Sequence, residues 1–116
     1  MTVRVLVVED EAIIAIDIAD QLTVAGFQVV GPVPSVAKAL RLISEEGCDA
    51  AVLDVNLRDE TTEAVALVLR SRGTPFLFLS AVPRDRLPSG FHDEVLLPKP
   101  VKPAILVAAL LSSIAE

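Results

Sequence analysis

The chain has 116 residues, of which 53% are hydrophobic, and it carries a formal net charge of -6. This length and hydrophobic share suffice for one packed domain, whereas the negative charge and the scattered basic residues argue against nucleic acid as a partner. Because no apolar run approaches the roughly 20 residues that span a bilayer and no signal segment precedes the first predicted strand, we expect a soluble, cytoplasmic protein with no membrane partner.

Extended and helical patterns alternate along the chain with little spare length. Short apolar runs are typical of buried strands, and apolar residues spaced three and four apart are typical of helices packed on one side. In chain order the predicted elements are strand 3–8, helix 11–24, strand 27–30, a helix capped by Ser35 and ending near residue 46, strand 50–53, helix 62–71, strand 76–79, strand 94–97 and a last helix from about residue 103 to 114. Five strands that alternate with helices predict a parallel sheet covered on both faces.

One segment interrupts the alternation between the fourth and fifth predicted strands. Pro83, Pro88 and Gly90 leave no room there for a regular helix of more than about a turn or two. We therefore expect a short or irregular fourth crossover. In the same segment we expect Phe91 to be a core residue and His92 to be solvated or to cap a turn.

Acidic side chains follow two of the predicted strands. Glu9, Asp10 and Glu11 come directly after the first strand, and Asp54 ends the third. The carboxyl ends of parallel strands gather in the crevice where open α/β sheets bind ligands, so these acids should meet there. Clustered carboxylates repel one another, and a hard divalent cation such as Mg2+ offsets that repulsion.

Polar motifs occur at four predicted strand ends in a fixed order. They are Glu9-Asp10-Glu11, Asp54-Val55-Asn56, Ser80-Ala81 and Lys99-Pro100. Together they resemble the response-regulator receiver domain of two-component signalling, and the resemblance covers the whole chain. It implies a doubly wound, flavodoxin-like (CheY-like) α/β fold with five parallel strands in the order 2-1-3-4-5. Because the sequence stops after the last predicted helix, we expect a single domain, residues 1–116, with no effector domain.

The resemblance implies a role for each residue of the site. Asp54 would accept a phosphoryl group from phosphohistidine, since its carboxylate is ionised near neutral pH and needs no base. Mg2+ would be held by Asp10 and Asp54, by Glu9 through water, and by the backbone carbonyl of Asn56. Ser80 would donate its hydroxyl to the phosphoryl group, and the ammonium of Lys99 would pair with another phosphoryl oxygen. The peptide bond before Pro100 would be cis. Glu11 would be an acid at the N-terminus of a helix.

These roles predict a single-domain response regulator of a phosphorelay, which is a phosphoacceptor and not an enzyme. Its partner would be a histidine kinase or a histidine phosphotransfer protein, and it would signal by protein contact or by onward phosphotransfer. Ile13, Ile14, Ala15 and Ile16 follow one another in the first helix. Either one of them stays exposed beside the acids and contacts the kinase, or all four belong to the core.

The sequence departs from the usual receiver pattern at two places. Leu96 occupies the position of the aromatic switch residue, and the loop after Asp54 lacks the usual Pro-Gly. Together with Pro75-Phe76 and the short fourth crossover, this resembles the atypical alphaproteobacterial subgroup, which is often served by HWE- or HisKA2-type kinases. With no ring to report phosphorylation, we expect the two states to differ in the order of residues 82–93.

Two other functional classes share part of this pattern. A haloacid-dehalogenase-like phosphatase also uses an aspartate nucleophile, Mg2+, serine and lysine, but its paired acids follow the first strand, whereas Asp54 follows the third. A receiver-like module that acts without phosphorylation would also tolerate Leu96. The complete set of acids with Ser80 and Lys99 argues against this second class.

Overall fold

A parallel sheet with helices on both faces organises the chain. The computed structural model describes residues 2–81, 87 and 90–115. The elements are β1 Arg4–Val8, α1 Ala12–Val24, β2 Gln28–Val33, α2 Val36–Glu45, β3 Ala50–Asp54, α3 Glu63–Ser71, β4 Phe76–Ser80, β5 Leu96–Pro98 and α4 Pro103–Ala115. The strands are parallel and ordered β2-β1-β3-β4-β5. The predicted fold class and strand order are therefore confirmed.

Each face of the sheet has its own hydrophobic core. In β1, Leu6 and Val8 pack on one side with residues of α2 and α3, such as Ile43 and Leu69. The alternate residues of β1 pack on the other side with α1 and α4. This alternation is that of a strand whose side chains point to opposite faces, so β1 contributes to both cores.

The outer faces of the helices carry exposed apolar side chains. In α1, Ala15, Ile18 and Leu22 are buried, whereas 84% of Ile13 and 58% of Ile16 are exposed. The expectation that α1 keeps an apolar residue exposed near the acids is thus confirmed. In the part of the chain that the structure describes, we find no helix whose length and apolar character would let it cross a membrane.

The end of β2 differs from the sequence prediction. The strand does not stop before Gly31 and Pro32 but continues to Val33, which pairs with Val8. Because β2 lies at the edge of the sheet, the missing N–H of Pro32 can face away from the ladder. Gly31 has φ +92°, and a Cβ there would lie 2.9 Å from the backbone nitrogen of Val33, so this close approach requires glycine.

The start of β5 also differs from the prediction. β5 begins at Leu96 and not at residue 94, because the N–H of Glu94 donates to the carbonyl of Phe91 in a turn at 3.1 Å. Phe91 is buried, as expected, and lies edge-on to Phe78 with 5.9 Å between ring centroids.

The fourth crossover falls mostly outside the described residues. Pro83 and Pro88, on which its predicted irregularity depends, are among the residues that the structure does not describe, so that expectation and the one about order in residues 82–93 stay predictions. In the described part, His92 Nε2 donates to the carbonyl of Leu87 at 2.9 Å. The His92 side chain therefore bonds to the backbone of its own segment, in agreement with the capping role expected for it.

Candidate functional site

The carboxyl ends of the central strands surround an open crevice of about 290 Å3. β1, β3 and β4 are neighbours in the sheet, so the residues that end or follow them converge at one edge. The crevice is lined by Asp10, Glu11, Asp54, Asn56, Leu57, Arg58, Ser80, Ala81 and Lys99. The structure thus brings together five of the residues that the sequence placed in one site, and Glu9 lies directly beside them.

Three carboxylates form a cluster at this edge. Val8 and Leu53 are paired across β1 and β3, so the residues that follow them in the chain, Glu9 and Asp54, lie side by side. Glu9, Asp10 and Asp54 each contribute one oxygen to a group in which all oxygens lie within 4.8 Å of one another. Only 2% of Glu9 and 7% of Asp54 is exposed, so water shields their mutual repulsion poorly.

Lys99 supplies an ammonium to this cluster. Its Nζ lies 2.6 Å from Glu9 Oε1 and 3.1 Å from Asp54 Oδ2. Its backbone N–H donates to the carbonyl of Ser80 at 3.1 Å, which fixes the end of β5 against β4. The Lys99–Pro100 peptide bond is cis. Lys99 therefore pairs with two of the three clustered carboxylates.

Burial and the neighbouring groups shift the pKa values of Glu9 and Lys99. Burial, followed by the adjacent Asp54 carboxyl, raises the pKa of Glu9 to about 8, although Lys99 acts in the opposite direction. Burial alone would lower the pKa of Lys99, but its hydrogen bonds to Glu9 and Asp54 outweigh burial and leave that pKa above its ordinary value. The lysine thus stays charged, and the acids compete for further positive charge.

The donor set fits a hard divalent cation. Glu9 Oε2 is buried and has no hydrogen-bond partner among the described residues. An unpaired buried carboxylate oxygen is costly unless a proton, a water molecule or a cation satisfies it. The neighbouring donors are carboxylate oxygens, which are the ligands that Mg2+ prefers. The residues present therefore suit Mg2+ better than a soft metal, which would require sulfur or imidazole.

The loop between β3 and α3 is closed by short hydrogen bonds. Asn56 and Thr61 form an antiparallel bridge, and the N–H of Leu57 donates to the carbonyl of Glu60 at 2.8 Å. Thr62 Oγ1 donates to the carbonyl of Asp54 at 2.7 Å. The sequence predicted Thr62 only as the start of a helix. In the sequence, a hydroxyl residue eight positions after Asp54 was the feature that could have indicated this contact.

Two residues singled out in the sequence lie outside the carboxylate cluster. Glu11 is exposed at the N-cap position of α1, where it makes no side-chain capping hydrogen bond. Leu96 is half-buried, lies opposite Phe78 in the sheet and packs against the core on the side of α2 and α3. By contrast, Ser80 is 3% exposed and ends β4 at the crevice.

The whole chain is similar to solved structures of regulators. It is 38% identical to SdrG from Sphingomonas melonis Fr1, with a TM-score of 0.85 over 99% of this chain and 98% of SdrG. A second structure, described as the BeF3-activated conformation of SdrG, matches with 41% identity and a TM-score of 0.79 over 93% of this chain and 95% of the other. A response regulator receiver protein from Sinorhizobium medicae WSM419 is 30% identical, with a TM-score of 0.87 over 98% and 95% of the two chains.

Curated relatives match this chain over part of their own length. The phyllosphere-induced regulator PhyR of Methylorubrum extorquens is 30% identical over 115 residues, which are 95% of this chain and 43% of PhyR. The chain spans about half the length of the curated relatives that it matches. No protein-family model matches it.

Proposed function

The chain belongs to the receiver domains of response regulators, and on that premise we propose that it accepts a phosphoryl group on Asp54 in a two-component phosphorelay. Relatives of the SdrG and PhyR kind agree with the atypical alphaproteobacterial subgroup. Membership in this family also sets aside the dehalogenase-like phosphatase as an explanation for the aspartate, serine and lysine.

One observation carries the proposal. The carboxylate of Asp54 lies 3.1 Å from the ammonium of Lys99 and shares a crevice with Asp10 and Ser80. A nucleophilic carboxylate, an ammonium for the phosphoryl oxygens and a hydroxyl donor are the groups that phosphoryl transfer needs, because its catalysis is mostly positioning and charge stabilisation.

The transfer can be written with the residues of this site. An oxygen of the Asp54 carboxylate attacks phosphorus, the phosphorus–nitrogen bond of the donor phosphohistidine breaks, and the imidazole nitrogen keeps the electron pair. Lys99 and Ser80 hold phosphoryl oxygens in place during the attack. Glu9, Asp10, Asp54 and the Asn56 carbonyl would hold Mg2+, which, when bound, would offset the negative charge of the phosphoryl group.

In this proposal the chain is a phosphoacceptor and not an enzyme with a separate substrate. Its own residues promote the arrival of the phosphoryl group and its later hydrolysis, and each chain carries one group at a time. The signal then leaves by contact with a downstream protein or by onward transfer to a histidine.

The exposed part of α1 suits the docking of the phosphodonor. Ile13 and Ile16 are exposed just after the acids, and a groove of about 230 Å3 between Ile16 and Pro32 borders Glu9 and Asp10. An apolar helix of a histidine kinase or phosphotransfer protein would bury these side chains and bring its phosphohistidine to Asp54. A kinase of the HWE or HisKA2 type is the partner proposed from the subgroup.

Phosphotransfer from a panel of phosphorylated kinases and from a small-molecule phosphodonor tests the proposal. We expect one phosphoryl group per chain by intact mass, only with Mg2+ and only with Asp54 present. Asp54→Asn should abolish the modification. Asp59→Asn, in the exposed loop five residues further along, is the matched control and should be modified normally. If no donor modifies the wild-type chain, a phosphorylation-independent interaction module is the better description.

A further inference from the structure

Thr62 uses its hydroxyl in an unusual way for a residue at the start of a helix. It occupies the N-cap position of α3, yet its side chain makes no capping hydrogen bond. Instead Oγ1 donates to the carbonyl of Asp54 at 2.7 Å, and only 1% of the residue is exposed. The hydroxyl therefore points back to the backbone of the proposed phosphoacceptor.

Another helix of the same chain shows the ordinary arrangement. At the N-cap of α2, Ser35 accepts a hydrogen bond from the N–H of Lys38 at 3.3 Å. Such capping stabilises a helix by satisfying one of the N–H groups at its start. α3 forgoes this contribution from Thr62, although threonine is a good capping residue. The hydroxyl donates its hydrogen bond to the Asp54 carbonyl, and the start of α3 therefore has no capping hydrogen bond from Thr62.

Thr62 also closes the loop that carries Asn56. Its backbone N–H donates to the carbonyl of Val55 at 3.1 Å, and the preceding residue, Thr61, is bridged to Asn56. The two bonds of Thr62 join the first and last residues of the turn. Any displacement of Thr62 is thereby passed both to the backbone of Asp54 and to the position of Asn56.

We infer that Thr62 is a positioning residue for the phosphoacceptor site, whose hydroxyl holds the Asp54 backbone and the Asn56 loop in the arrangement that binds the cation. This inference rests on the proposed function of Asp54. Residues that orient metal ligands commonly contribute a factor of 10–100 in metal affinity. Thr62 touches neither the phosphoryl group nor the cation in this account, so it acts only through Asp54 and Asn56.

The test compares three variants with the wild-type chain. Thr62→Val keeps the shape of the side chain but removes the donor, whereas Thr62→Ser keeps the donor. Thr23→Val is the matched control, because Thr23 Oγ1 donates to the carbonyl of Ala19 at 2.8 Å near the far end of α1. Mg2+ affinity is measured by NMR titration well below the unfolding temperature, together with Mg2+-dependent binding of beryllofluoride.

We expect Thr62→Val to weaken Mg2+ binding about tenfold and to weaken beryllofluoride binding in parallel. Thr62→Ser should restore both, and Thr23→Val should leave both unchanged. The unfolding midpoint is recorded for every variant, since a residue that serves only the fold would lower the midpoint without changing the affinity of the folded chain. If Thr62→Val does not fold, Thr62→Ala and Thr62→Ser are compared in the same way.

Two results would overturn the inference, and they are distinguishable. Equal Mg2+ and beryllofluoride binding by Thr62→Val and wild type would show that the hydroxyl serves the fold alone, while the proposed function stands. A wild-type chain that binds neither probe would remove the phosphoacceptor site itself and the role of Thr62 with it.

Discussion

β1 has a polar cluster at each of its ends, and the two clusters differ in how their charged groups are paired. At its start, Arg4 has hydrogen-bond partners for both its guanidinium and its backbone. Its guanidinium donates to the carbonyls of Glu46 and Gly47 at 3.0 and 3.3 Å and pairs with the Glu46 carboxylate at 3.3 Å. Its backbone N–H donates to Asp49 Oδ2 at 2.8 Å. This cluster joins β1 to the end of α2 and to the residue before β3.

At the other end of β1 the charges are not matched. Lys99 pairs with two of the three clustered carboxylates, and a buried oxygen of Glu9 has no hydrogen-bond partner in the described part of the chain. The second cluster thus leaves a buried carboxyl oxygen that a proton, a water molecule or a cation would satisfy. This contrast favours the carboxyl edge of the sheet as the functional site.

The largest expected difference between the two clusters is their response to pH. The pKa of Glu9 rises from 4.5 to about 8 in the folded chain, so the folded chain keeps a proton that the unfolded chain releases between these values. The free energy of unfolding should therefore fall as pH rises through this window, in total by a few kcal/mol. Chemical denaturation without Mg2+ across the upper part of the window measures this slope.

Matched variants show whether the slope belongs to Glu9. Glu9→Gln should flatten it, because glutamine does not titrate, whereas Glu46→Gln in the Arg4 cluster should leave it unchanged. A slope that survives in Glu9→Gln would place the titrating group elsewhere.

Removal of the lysine that pairs with Glu9 and Asp54 should affect function at that cluster only. Lys99→Met should slow phosphorylation of Asp54 about 100-fold, the scale expected for the loss of one group that stabilises charge in a transition state. Arg4→Met removes a cation of the other cluster, and we expect it to lower the free energy of unfolding by about 1 kcal/mol with an unchanged phosphorylation rate. Intact-mass time courses provide both rates, and equal slowing by the two variants would contradict the comparison.

Mg2+ should stabilise the chain through the mismatched cluster. At a concentration ten times the dissociation constant, we expect a gain of about 1.4 kcal/mol in the free energy of unfolding. The gain should disappear when Asp10→Ala and Asp54→Ala are combined. Thermal unfolding with and without Mg2+ measures it. Stabilisation that persists in the double variant would mean that the ion binds at another place.

The smallest expected effect concerns the ion pair between Arg4 and Glu46. Their side chains are 30% and 52% exposed, and exposed pairs contribute roughly 0.5 kcal/mol. Glu46→Ala should therefore cost about that much stability and leave Mg2+ affinity unaltered. A loss of Mg2+ affinity in this variant would show that the two ends of β1 are coupled.

The sequence predicted those contacts that follow directly from the topology of a parallel sheet. Glu9 and Asp54 are 45 residues apart in the sequence, but both follow neighbouring parallel strands, so their proximity follows from the strand order. Gly31 and Pro32 together are a strong turn signal, and this is why the extension of β2 to Val33 was not expected. The residue type also does not determine which hydrogen-bond partner a side chain takes. The hydrogen bond from Thr62 back to the Asp54 carbonyl could therefore be found only in the structure.

Fluorine NMR of the chain with beryllofluoride, a mimic of the phosphoryl group, tests the central claim most directly. We expect a bound fluoride signal only when Mg2+ is present. That signal should be absent in Asp54→Asn and retained in Arg4→Met. A bound signal that persists in Asp54→Asn, or that forms equally well without Mg2+, would contradict the assignment of Asp54 as the phosphoacceptor at the mismatched end of β1.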